Sequence, residues 1–121
     1  MPAPVGPYTP VVVAGDWIVC SGQLGLFEGA LVEGLGPQVT QAIANLDNLL
    51  ASEGASLADV VKTTVFLSDI GGYAEMNAAY VAAFDGHAPA RSAVAVAGLP
   101  LGALVEIEAW ARRPGPIAPD N

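Results

Sequence analysis

Apolar residues along this chain recur with two periods, and the switches between them mark the elements. Residues 11–14 and 16–24 read as two strands joined at Gly15, a hairpin by spacing. In the second, strict alternation puts Trp17, Val19 and Ser21 on one face and Ile18, Cys20 and Gly22 on the other. Both faces are largely apolar, which predicts that both are covered. Residues 25–36 gather Gly25, Gly29, Gly34 and Gly36 with Glu28 and Glu33, and read as a loop with a short strand inside. The period then becomes helical. Val39, Ile43, Leu46 and Leu50 form a stripe widened by Leu49, predicting a helix over 37–53 that ends at Gly54.

Ser56-Leu57-Ala58-Asp59 resembles a capped turn, and residues 60–67 form a β-branched strand. Alternation there sorts Val61, Thr63, Val65 and Leu67 to one face, and Val60, Lys62, Thr64 and Phe66 to the other. A second helix over 72–84 carries Tyr73, Met76, Tyr80 and Phe84 on one stripe, and Asp85-Gly86-His87-Ala88-Pro89 breaks it. Residues 91–97 and 103–111 are the last two strands. Gly6-Pro7-Tyr8-Thr9-Pro10 is rigid loop material, while the proline-bearing tail at 114–121 is expected to be mobile. The order βββ-α-β-α-ββ over a single domain, 1–113, predicts an α+β fold: an open sheet with both helices on one face. Its other face is apolar and stays exposed unless sister chains cover it.

Composition supports that expectation. Of 121 residues, 53% are hydrophobic and 13% charged, against about 25% charged in ordinary globular chains. So few charges predict that another chain covers part of the surface. The net charge of −8 sets twelve acids against Lys62, Arg91, Arg112 and Arg113. Nucleic-acid binding needs clustered basic side chains, so RNA, DNA and anionic membrane faces are not expected partners. One cysteine and one histidine make no disulfide and no zinc site. Residues 1–16 lack the basic start of a signal peptide, and no stretch reaches the length of a membrane span. A cytoplasmic protein is expected.

Candidate chemistry concentrates on two strands. Arg91 opens an otherwise uncharged strand, where a guanidinium is costly to bury unless something anionic meets it. Its planar fork matches a carboxylate ligand, and an ion pair with one of the chain's own acids would satisfy it equally. Glu106 and Glu108 alternate with Val105, Ile107 and Ala109 and so share one face of the last strand. They are either a solvated face or a partly buried general base with a structural neighbour. His87 reads as a loop residue, Cys20 as a core filler, and Tyr73 and Tyr80 as core positions on the helix stripe. Arg112-Arg113 reads as a solvated pair.

Four segments, Gly6-Pro7-Tyr8, residues 19–24, residues 60–67 running on to Met76-Asn77 and Tyr80, and Pro89-Ala90-Arg91-Ser92-Ala93-Val94 with Leu99-Pro100 and Val105-Glu106-Ile107-Glu108-Ala109 behind it, together resemble the reactive intermediate deaminases, also called the YjgF or L-PSP family. The resemblance covers residues 6–111. It implies a chorismate-mutase-like fold assembled as a homotrimer with clefts between subunits. It also implies hydrolysis of reactive 2-imino acids such as 2-iminobutanoate and 2-iminopropanoate, or their enamine tautomers, to 2-oxo acids and ammonia, with no metal and no cofactor. Arg91 matches the arginine that holds the substrate carboxylate, and Glu106 the acid that activates or relays protons to water. Tyr8, Ser21 and Asn77 match positions lining the cleft. Ala93 stands there too, where many deaminating members carry cysteine. The alternative is a member of the same fold that binds small carboxylates, or protects proteins, without turnover. The ribonuclease activity suggested by older family labels fits worst, because basic residues are so scarce.

Overall fold

The computed structural model describes residues 6–115, so the expected mobile tail lies, from residue 116 onward, outside the described residues. Among the described residues, seven strands and two α-helices follow one another. They are β1 (Val11–Ala14), β2 (Trp17–Leu24), β3 (Leu26–Phe27), β4 (Ala30–Leu31), α1 (Leu35–Ala51), β5 (Val60–Leu67), α2 (Tyr73–Phe84), β6 (Ala90–Ala95) and β7 (Val105–Arg112). Five of the strands form one sheet in the order β1-β2-β7-β5-β6, antiparallel except for the parallel pair β5 and β6. α2 is the crossover that a parallel pair requires.

The single short strand expected between the hairpin and α1 is instead a ribbon of its own. β3 and β4 pair only with each other around Glu28 (φ 51°) and Gly29 (φ 84°). Two successive residues at positive φ match the right-handed twist of a tight hairpin, so the chain reverses there at once. α1 begins two residues before the expected start, with Pro37 inside its first turn, where its missing N–H is an orphan in any case. Ser56 and Asp59 form a reciprocal capping box on the 3-10 turn Leu57–Asp59.

Both helices lie on one face of the sheet. The core joins Val39, Ile43, Leu46 and Leu50 of α1 and Met76, Tyr80 and Phe84 of α2 to Ile18, Cys20, Val65, Leu67, Val105, Ile107 and Ala109 of the strands. A buried hydrogen bond, 2.6 Å, between the hydroxyls of Thr63 and Tyr80 ties β5 to α2. His87 is more than loop filler: its Nε2 lies 2.6 Å from the Val60 carbonyl oxygen, and its ring packs on Phe84.

Strict alternation fails at two places. Between Val60 and Lys62 the register against β7 slips, so Val60 is buried in the core and Val61 is exposed, the reverse of the expected faces. A second slip, between Cys20 and Gln23, removes Gly22 from the face of Ile18 and Cys20. The sheet face away from the helices is open within one chain. It presents Val12, Trp17 and Trp110 to solvent, with the two indoles edge to face at 6.3 Å.

Candidate active site

Glu106 lies between Val105 and Ile107, both fully buried on the helix side, so its own side chain rises on the open face. Across the ladder it pairs with Phe66, as Glu108 does with Thr64, which puts both acids on that face as expected. Glu106 packs directly over β2. A Cβ at Gly22 would fall within 2.8 Å of Glu106 Cδ and overlap the carboxylate, so glycine here lets the acid keep this position. The shift in β2 register turns this glycine toward the acid. Burial, and secondarily the like charge of Glu108, push the Glu106 carboxyl above its ordinary value.

Arg91 sits on the edge strand β6 in register with buried Thr63, which directs its side chain to the helix side. There α2 receives it. Nη2 donates to the Tyr73 hydroxyl at 3.2 Å, and Nη1 points at Met76 Sδ at 3.6 Å. The guanidinium carbon stands 4.9 Å from the Tyr80 ring centroid and 5.6 Å from that of Tyr73, within cation–π range. Among the described residues none of these contacts is a carboxylate, so the internal ion pair that could have explained Arg91 does not form. Tyr73, expected in the core, is 43% exposed and serves as a wall of this arginine site. The helical stripe correctly placed Tyr80 and Met76 in the core, but its first turn overhangs the sheet edge.

Ala93 lies two residues along from Arg91 on the same face of β6 and packs partly against the core. Its methyl carries no thiol, and Cys20 does not replace one. Cys20 is buried beneath the helices, and burial pushes its thiol up to about 11. Asn77 follows Met76 on α2, and its Oδ1 is buried without a hydrogen-bond partner among the described residues. Ser21 ties two segments together. The hydroxyl donates to the Thr9 carbonyl at 2.7 Å while the Ser21 amide donates to Pro10 at 2.8 Å, so β2 anchors the loop that presents Tyr8. Tyr8 itself is 43% exposed beside that anchor.

The structure therefore gathers the candidate residues into two groups on opposite faces of the sheet. One is Arg91 with Tyr73, Met76, Tyr80 and Ala93; the other is Glu106 over Gly22, with β5 standing between their strands. Sequence reasoning missed Gly22 and Tyr73. A glycine inside a strand signals a close approach, but nothing in the pattern says of what. Among the described residues, no helix is long and apolar enough to cross a membrane, and no three His, Cys, Asp or Glu side chains gather as a metal site.

Comparison with known proteins adds relatives over nearly the full length. A 2-iminobutanoate/2-iminopropanoate deaminase of Mus musculus is 43% identical over 113 residues, covering 91% of this chain and 84% of that protein. A RutC family protein of Pyrococcus horikoshii is 40% identical over 113 residues, covering 91% and 90%. The crystal structure of E. coli TdcF with bound serine superposes with a TM-score of 0.88 at 34% identity, covering 93% of each chain. The family described as Endoribonuclease L-PSP matches residues 1–113. The chain belongs to this L-PSP family, the reactive intermediate deaminase family that its motifs resemble.

Proposed function

We propose that the protein hydrolyses 2-imino acids, or their enamine tautomers, to 2-oxo acids and ammonia, in clefts between the subunits of a homotrimer. The observation that carries this reading is Arg91: a guanidinium held beside two aromatic rings at a sheet edge, with no carboxylate partner among the described residues. A small anionic ligand completes it. The overall charge of −8 repels such a ligand at long range, so the attraction must be local, where partial burial lowers screening. The names of the mouse relative and of the serine-bound neighbour support a ligand of amino-acid-like chemistry.

The reaction asks little beyond placement. A protonated imine is already electrophilic at C2. Arg91 holds the carboxylate with parallel hydrogen bonds, which fixes C2 relative to the acid. Glu106 takes a proton from water as the oxygen bonds to C2 and the C=N π electrons move to nitrogen. The proton then passes to that nitrogen. The C–N bond breaks as the hydroxyl oxygen forms the carbonyl and loses its own proton to Glu106 or solvent. Water is consumed, and one oxo acid and one ammonia leave. A carboxyl raised by burial is a stronger base than an ordinary one, which suits this role. Because Arg91 and Glu106 lie on opposite faces of one sheet, the reading requires Arg91 of one copy to meet Glu106 of the next. RNA cleavage, despite the family description, has no basic track to rest on in a chain with four basic side chains.

The test couples a pyridoxal-phosphate dehydratase to the purified protein and follows imine decay. Acceleration that is lost in Arg91→Ala supports the reading. Tight pyruvate binding with no acceleration would favour the carboxylate-binding alternative, to which Ala93 in place of a thiol lends some support.

A further inference from the structure

The Tyr73 hydroxyl is used on one side only. It accepts from Arg91 Nη2 at 3.2 Å, and that is its one hydrogen bond among the described residues. A phenol that accepts still has its own O–H to give. Arg91 is similarly half-used. A guanidinium has five N–H groups, and the described residues occupy one with Tyr73 and one with the Met76 sulfur, so a ligand can take others of the fork. The Tyr73 oxygen adjoins Nη2, so a carboxylate oxygen seated on that nitrogen comes within reach of the phenol. The Arg91 guanidinium carbon also stands 5.6 Å from the Tyr73 ring centroid, within cation–π range, which favours the ring position seen here. Tyr73 as a residue is 43% exposed, so its side chain lies where an entering ligand can reach it.

We propose that Tyr73 donates a second, direct hydrogen bond to the carboxylate that Arg91 grips, making the binding site for the anion a Tyr–Arg pair. The donor role cannot be filled by Tyr80, whose hydroxyl is buried against Thr63. This inference rests on the reading of Arg91 as the carboxylate holder, and its test separates the two.

Benzoate and pyruvate affinities are measured by calorimetry in the full-length assembled protein, with Tyr73→Phe, Arg91→Ala, Arg91→Lys and the Tyr73→Phe/Arg91→Lys double variant. Tyr73→Phe keeps the ring and removes only the donor. Affinity is expected to fall about tenfold or more, the scale of a hydrogen bond to a charged group, with KM rising and kcat nearly unchanged. The same factor is expected in the Arg91→Lys background, where the guanidinium fork is gone but the phenol can still donate. A loss seen only with Arg91 present would make Tyr73 a mere prop for the arginine and overturn the proposal. Unchanged affinity in Tyr73→Phe overturns it as well, while leaving Arg91 as the holder. Unchanged affinity in Arg91→Ala sinks the reading beneath both. Thermal unfolding of each variant confirms that the fold is retained.

Discussion

A methyl group at Gly22 would occupy the space that the Glu106 carboxylate fills, so under the proposed mechanism this residue would act on the reaction without touching it. Gly22→Ala is expected to leave a folded protein whose kcat falls about 10²-fold, because a displaced base loses much of its general-base contribution. Steady-state kinetics with pyruvate affinity as the control checks this; an unchanged kcat would mean that the acid's position is unimportant. Glu106 itself carries a cost in stability. Burial raises its folded-state value, so the ionised form is disfavoured in the fold. The stability of the neutral form is fully present below the ordinary carboxyl range and is lost as pH rises through the raised value. Glu106→Gln is therefore expected to unfold at a higher temperature than the native chain at pH 7, with the gap closing near pH 3. The same shift predicts that the acidic limb of kcat/KM lies above the ordinary carboxylate range. Neither Gly22 nor the Glu106 environment was legible in sequence, because both depend on a one-residue slip between β2 and β7. The choice of Glu106 over Glu108 came from family spacing; alternation alone placed the two acids on one face and stopped there.

At the level of elements, the chain's pattern was informative where periodicity is long. α1, α2 and β5 lie within two residues of their expected bounds, since long apolar stripes and β-branched runs over-determine them. Short segments were not. β3 and β4 are two residues each, and their pairing follows from backbone geometry at Glu28 and Gly29. The joint between β5 and α2 rests on the Thr63–Tyr80 hydrogen bond. Thr63→Val keeps the shape and orphans the Tyr80 hydroxyl, and is expected to destabilise by about 1–3 kcal/mol in denaturant unfolding. Adding Tyr80→Phe should recover part of the loss, because the pair is then removed together. Before β7, Leu101 holds a left-handed conformation (φ 61°, ψ 15°) while 60% exposed. Leu101→Gly relieves that strain and should raise stability by about 0.5–1 kcal/mol, net of the added freedom of the unfolded chain. A fall in stability would show that the leucine side chain packs against something in the assembled protein.

At the scale of the whole molecule, the two faces of the sheet differ. One sheet face is closed by helices, and the other offers Trp17, Trp110 and Val12 to solvent in a chain with few charges to cover them. The excess of apolar residues was readable at once from composition, but the opposite orientation of Arg91 and Glu106 required the strand register. Placing Asp at Trp110 is expected to yield folded monomers without imine hydrolysis, read by light scattering beside the coupled assay; a fully active monomer would remove the shared-site reading. The two-faced placement of Arg91 and Glu106 also makes this protein a candidate for rescue between two defective alleles. Under the proposed mechanism, chains bearing only Arg91→Ala and chains bearing only Glu106→Gln are each expected to be inactive alone. Unfolded together and reassembled in equal amounts, they are expected to form mixed rings in which one contact joins an intact arginine to an intact glutamate. About a quarter of native activity should return by random mixing around a three-fold ring. If each chain held its own complete site, no mixture of the two dead proteins could come back to life.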